Sequence, residues 1–139
     1  MKFQLHLSDL ELQEQDSGLT LGYLSITSNE LRVTFFEQRL SMIILDTATL
    51  LDNLSELERN ASTKILWTGT SNGTSYEVVY EDGFLYLKNS ISSIGFEFTL
   101  FKKSLHSYIH EFKLHWETVN RDCFDDSVYL TLIQILDRC

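Results

Sequence analysis

Residues 75–88 read SYEVVYEDGFLYLK, two runs of strand-forming residues joined by Asp82-Gly83. An Asp-Gly pair between alternating apolar residues signals a two-residue hairpin, because both central positions of the favoured turn need positive φ. With Glu81 opposite Phe84, the register sets Tyr80 against Leu85, Val78 against Leu87 and Glu77 against Lys88. Tyr76, Val78, Tyr80, Leu85 and Leu87 then share one face, and Glu77 can attract Lys88 on the other. Ile94 to Leu100 continues the pattern, with Ile94, Phe96, Phe98 and Leu100 inward and Glu97 and Thr99 outward. Ile65 to Thr68 supplies one more strand on the other side, and the middle of the chain is therefore expected to be antiparallel sheet.

Towards the N-terminus the same period of two recurs. Phe3, Leu5 and Leu7 alternate with polar residues, Leu19 to Thr27 is rich in strand formers, and Leu31, Val33 and Phe35 alternate with Arg32, Thr34 and Phe36. Ser28-Asn29 is a tight-turn candidate, so a meander is expected. Met42 to Leu45 reads as a short buried strand. Asp46 then caps a helix whose Leu50, Leu51, Leu54 and Leu57 form one stripe ending near Asn60. From Lys102 the period again becomes helical, with Leu105, Tyr108, Ile109, Phe112, Trp116 and Val119 on one face. Val128 to Leu136 satisfies either period, and its Val, Tyr, Thr and Ile content tips the reading towards a final strand. The expected fold is α+β: mainly antiparallel sheet in a meander and hairpins, with two or three packed helices. No repeat or composition shift divides residues 1–139, so one domain is expected.

At 139 residues, with nine Phe, six Tyr and two Trp, the chain can fill one real core. No apolar run approaches the roughly 20 residues needed to cross a bilayer. Met1 to Leu7 alternates and soon meets Asp9 and Glu11, unlike the apolar segment of an export signal, which points to a cytoplasmic location. Cys123 and Cys139 are accordingly read as free thiols. Twenty acidic against eleven basic residues give a net charge of -9, which disfavours nucleic acid and suits a basic protein partner.

No motif for catalysis, phosphate cradling or dinucleotide binding occurs, and no cofactor is implied. His106, His110 and His115 do not share a ligand face, since at about 100 degrees per residue the first two leave the apolar stripe on one flank and His115 on the other. They read as solvated helix residues and not as a metal site. Carboxylate pairs such as Glu81-Asp82 and Asp125-Asp126 fall in expected turns, so they read as turn and cap residues and the chain as a binder and not an enzyme. Acidic residues gather at Asp9/Glu11/Glu14/Asp16, at Asp46/Asp52/Glu56/Glu58 and at Glu117/Asp122/Asp125/Asp126, with Tyr23, Tyr86 and Phe124 interleaved. Aromatic anchors among charges are what protein interfaces use, and Glu117, Asp122, Phe124, Asp125, Asp126, Asp52, Glu56 and Tyr86 are the candidate partner-binding residues. Leu114, outward on its helix, is a further hint of a contact surface.

The small acidic chain, the Tyr76 to Leu87 hairpin, the Ile94 to Leu100 segment and the helix beginning near Lys102 together resemble bacterial immunity proteins of the contact-dependent growth inhibition or polymorphic toxin type. The resemblance is one of organisation, not of a diagnostic motif. It implies stoichiometric binding of a cognate toxin domain, commonly a basic nuclease, by a monomer or weak dimer. Type III secretion chaperones are the alternative, being also small, acidic and α+β, although they usually open with a helix.

Overall fold

The Asp82-Gly83 turn forms with φ of 51° and 85° in a computed structural model that describes residues 1–7, 19–61 and 63–139, with backbone only at Arg121. Around this turn β6 (Ser75–Glu81) pairs with β7 (Phe84–Lys88) in the register expected, Glu81 against Phe84 through Glu77 against Lys88. Flanking strands β5 (Lys64–Thr68) and β8 (Ser93–Glu97) complete an antiparallel sheet in sequential order. A first antiparallel sheet is the expected meander of β1 (Lys2–Leu7), β2 (Leu21–Ser28) and β3 (Leu31–Phe35). To it β4 (Ser41–Met42) adds itself beside the start of β2. Among the described residues three helices, α1 (Ile43–Asn60), α2 (Phe98–Val119) and α3 (Ser127–Arg138), make the fold α+β, and the 3-10 turn Arg121–Asp125 links the last two.

Four local expectations need correction. The β2–β3 loop is Asn29-Glu30, one residue later than read, because Ser28 still pairs with Leu31 and Asn29 takes the positive φ of 57° that asparagine tolerates. Only Met42 of the segment Met42 to Leu45 is strand; the helix starts at Ile43, which puts Asp46 inside the first turn and not at the cap. Strand β8 stops at Glu97, where the Phe98 N–H donates to the Gly83 carbonyl at 2.9 Å and the chain turns into α2. Phe98 is inward and Glu97 and Thr99 outward as expected, but Leu100 faces solvent, because Phe98, Phe101 and Leu105 continue the core at helical spacing. Val128 to Leu136 is helix, not strand. Val128, Tyr129, Leu132 and Ile135 form a buried stripe, and packing of that stripe on α1 and α2 outweighs the strand preference of single residues.

Buried residues of both sheets and all three helices form one hydrophobic core. The joint between the sheets is aromatic. Trp67 is fully buried, with the rings of Phe35, Phe36 and Tyr76 at 5.4, 5.0 and 6.0 Å. Phe36 reaches this cluster with a φ of 68°, a conformation costing a bulky residue roughly 1 kcal/mol or more, which ring burial offsets. Asp46 is the polar counterpart of that joint. Its carboxyl oxygens accept from the Ser41 hydroxyl, from the Thr70 hydroxyl and from the Thr70 N–H at 3.1 Å, while its carbonyl accepts from Trp67 Nε1 at 2.8 Å. The edges of the first sheet are also occupied: the Leu5 N–H donates to the Tyr108 hydroxyl, and Asn89 Nδ2 donates to the Thr34 carbonyl. Such contacts block unwanted strand pairing.

Candidate functional site

Between α2 and α3 the chain makes a short turn whose two ends are clamped. Asn120 Oδ1 accepts from the Asp122 N–H at 3.0 Å, and the Asp126 N–H donates to the Cys123 carbonyl at 2.9 Å. Cys123 points into the core, so its neighbours must point out: Phe124 is 52% exposed, and Asp122 and Asp125 are exposed beside it. The Phe124 ring rests edge-on against Tyr129 at 5.4 Å, which holds it in place without burying it. Neither Asp122 nor Asp125 forms an ion pair among the described residues. The turn therefore presents one aromatic ring between two exposed carboxylates.

The other candidates of this group have tasks within the fold. Glu117 accepts the hydroxyl hydrogen of Tyr129 and pairs with Lys113 at 2.9 Å, and these partners, Tyr129 first, hold its carboxyl below the usual carboxylate range. Burial, followed by the same carboxylate, pushes the Tyr129 hydroxyl up. Asp126 caps α3, its Oδ1 accepting from the N–H groups of Val128 and Tyr129 at 2.8 and 3.3 Å. Cys123 is buried and Cys139 half-buried, with no disulfide between them. Burial raises the Cys123 thiol, and Glu117 and Asp126 raise it further.

The eight candidates do not meet on one surface. Asp52 pairs with Arg138 at 3.1 Å, and exposed Glu56 adds to the field around the same guanidinium, so both lie at the far end of α3 from Asp126. At about 1.5 Å per residue the twelve residues of α3 separate the two groups by about 18 Å. Tyr86 belongs to neither; it lies on the outer face of the second sheet, its ring against Gly95. Of the second acidic cluster, Asp46 is buried and Glu58 pairs with Lys102 at 2.9 Å. The cluster Asp9/Glu11/Glu14/Asp16 lies outside the described residues. Tyr23, read with it, is half-buried and stacks on His6 at 4.3 Å.

Three features escaped the sequence reading. His6 Nε2 lies 2.9 Å from the hydroxyl of Ser25, itself 3% exposed, and burial followed by Arg32 lowers the imidazole's pKa. Their separation by nineteen residues hid the pair, which only the β1–β2 register brings together. His106 is not a solvated residue: it is half-buried with Nε2 at 3.2 Å from the Leu136 carbonyl, whereas His110 and His115 are exposed. Phe84, 48% exposed, stands among Glu81, Asp82 and Glu97, and the hairpin register alone would have placed it on the outer face.

Among the described residues no group of three His, Cys, Asp or Glu side chains could hold a metal ion. A cleft of about 350 Å³ opens between α1, β6 and α2, walled by Leu57, Ala61, Tyr80 and Phe98 with Glu58, Thr63 and Thr99 at its polar side. No described helix is long and apolar enough to cross a membrane. Comparison with protein-family models, curated proteins and solved structures finds no match.

Proposed function

We propose that the chain is an immunity-type protein that acts by binding, not catalysis, covering the active or substrate-binding surface of a basic toxin domain in the cytoplasm. The observation that carries this reading is the clamped turn with exposed Phe124 between two exposed carboxylates, in a chain of net charge -9. Among the described residues the carboxylates of Asp122 and Asp125 are in no ion pair. An aromatic anchor with a charged rim supplies affinity at its centre, and the surrounding negative potential speeds encounter with a cationic partner while rejecting anionic ones.

The test is affinity purification of the tagged chain from its native host at moderate salt, followed by mass spectrometry and by expression of each co-purified protein with and without the chain. A stoichiometric basic protein whose toxicity the chain relieves is the expected result. A secreted effector held as an extended segment would favour the chaperone alternative, and a chain that elutes alone would sink both.

A further inference from the structure

The second sheet has a covered face and a bare one. Trp67, Val78, Leu85, Leu87, Ile94 and Phe96 are buried on the inner side, against which α1 and α2 pack. The alternate residues face the other way, where no described helix or strand covers them. Across this outer face the register sets Lys64, Val79, Tyr86 and Gly95 in one row and Glu81, Phe84 and Glu97 in the next. Leu66 stands diagonally beside Val79, within side-chain reach, so Leu66, Val79, Tyr86 and Phe84 form one apolar diagonal from β5 to β7. Leu66 is 58% and Phe84 48% exposed. A Cβ at position 95 would come within 2.8 Å of the Tyr86 ring, so glycine there is what lets the ring lie against the sheet.

Charge says what fits the diagonal. Glu81, Asp82 and Glu97 surround Phe84, all exposed and none in an ion pair among the described residues. Lys64 is committed to Glu77 at 2.8 Å, while Lys88, opposite that same Glu77, and Arg39 at the rim of the face are in no ion pair among the described residues. We infer that this face is a docking surface for a basic protein, whose apolar side chains meet the diagonal and whose Lys or Arg side chains meet the carboxylates around Phe84. The inference rests on the proposed function for the partner's class, and adds a second contact face for that partner beyond the 121–125 turn. A second copy fits poorly: the three carboxylates around Phe84 outnumber Lys88 and Arg39, and the two molecules would each carry a charge of -9. Phosphate-rich surfaces are repelled on the same ground.

A short synthetic peptide of alternating leucine and lysine, titrated into the isotope-labelled full chain and followed by amide chemical shifts, tests this without knowledge of the natural partner. Shifts centred on β6, β7 and β8 around Phe84 are expected. Phe84→Ala, and separately the triple change Glu81→Gln, Asp82→Asn and Glu97→Gln, should each weaken binding roughly tenfold. Asn is chosen at position 82 because it tolerates the φ of 51° there. The charge-matched triple Glu30→Gln, Glu111→Gln and Asp137→Asn, at exposed positions outside both surfaces, should change binding less than about twofold. Circular dichroism confirms that each variant folds, which is expected of substitutions at exposed positions. Shifts confined to the 121–125 turn, equal weakening by the two triples, or a dimer in sedimentation that Phe84→Ala dissolves would each overturn the inference. A co-purified toxin still neutralised at full strength by the Phe84→Ala chain would also overturn it while leaving the immunity reading intact.

Discussion

At the scale of single residues, Glu117 and Tyr129 show how a candidate binding residue turns out to be a structural one. Glu117 carried no sequence mark separating it from Asp122 or Asp125; the difference is that Tyr129, brought alongside by the folding of α3 on α2, donates its hydroxyl hydrogen to Glu117 and not to water. The pair also sets a pH window. The folded Glu117 value lies below its ordinary 4.5, so its stabilisation is complete above that pH and is lost as pH falls through the folded value. The Tyr129 value lies above its ordinary 10.0, so its share is complete below that pH and is lost as pH rises through the folded value. Tyr129→Phe is expected to cost about 1.5 kcal/mol near neutrality and to shrink the loss of stability below pH 4.5, because a charged acceptor loses its buried donor. Urea unfolding of wild type and variant from neutral to acid pH measures it. An unchanged acid limb would show that the hydrogen bond contributes nothing to stability.

Elements differ in how far local chemistry settles them. The β6–β7 hairpin was legible to the residue because Asp82-Gly83 dictates both turn and register within a few positions. Strand β8 was overextended because Phe96 and Phe98 continue an alternation that a helix beginning at Phe98 satisfies equally well. For α3 the deciding signal was Asp126, read from sequence as a turn or cap residue and also as a candidate partner contact: a carboxyl two residues before Val128 is well placed to accept the first free N–H groups of a helix. Asp126→Ala is expected to destabilise the protein by about 1 kcal/mol, read in thermal melts, with little effect on partner affinity. A stability unchanged by that substitution, or an affinity loss matching that of Asp122→Asn, would return Asp126 to the binding surface.

On the scale of the whole molecule, the two sheets are expected to unfold as one unit because their rings share a cluster. Trp67 from β5 packs on Phe35 from β3 and on Phe36 just beyond it, and its indole nitrogen reaches the Asp46 carbonyl in α1. Trp67→Ala is expected to cost about 3–5 kcal/mol. Far-ultraviolet circular dichroism and the fluorescence of the remaining Trp116 should then lose structure in a single transition at lower denaturant. Two separated transitions would mean that the sheets hold independent stabilities.

The sequence by itself determined the strand meander, the central hairpin with its register, the stripes of α1 and α2 and the charge of the surface, since each follows from periodicity, turn chemistry or counting within a short window. Its reach ended where residues far apart in the chain compete for the same hydrogen-bonding group or the same side of the core. Asp46 became a buried hub because Ser41 and Thr70 converge on it, Glu117 left the list of free carboxylates because Tyr129 arrived, and the acidic candidates were split between the two ends of α3. Which carboxylates stay free for a partner was decided only by the tertiary structure. A carboxylate's availability depends on which donors come within about 3 Å of it, and proximity across the chain is not written in any local pattern.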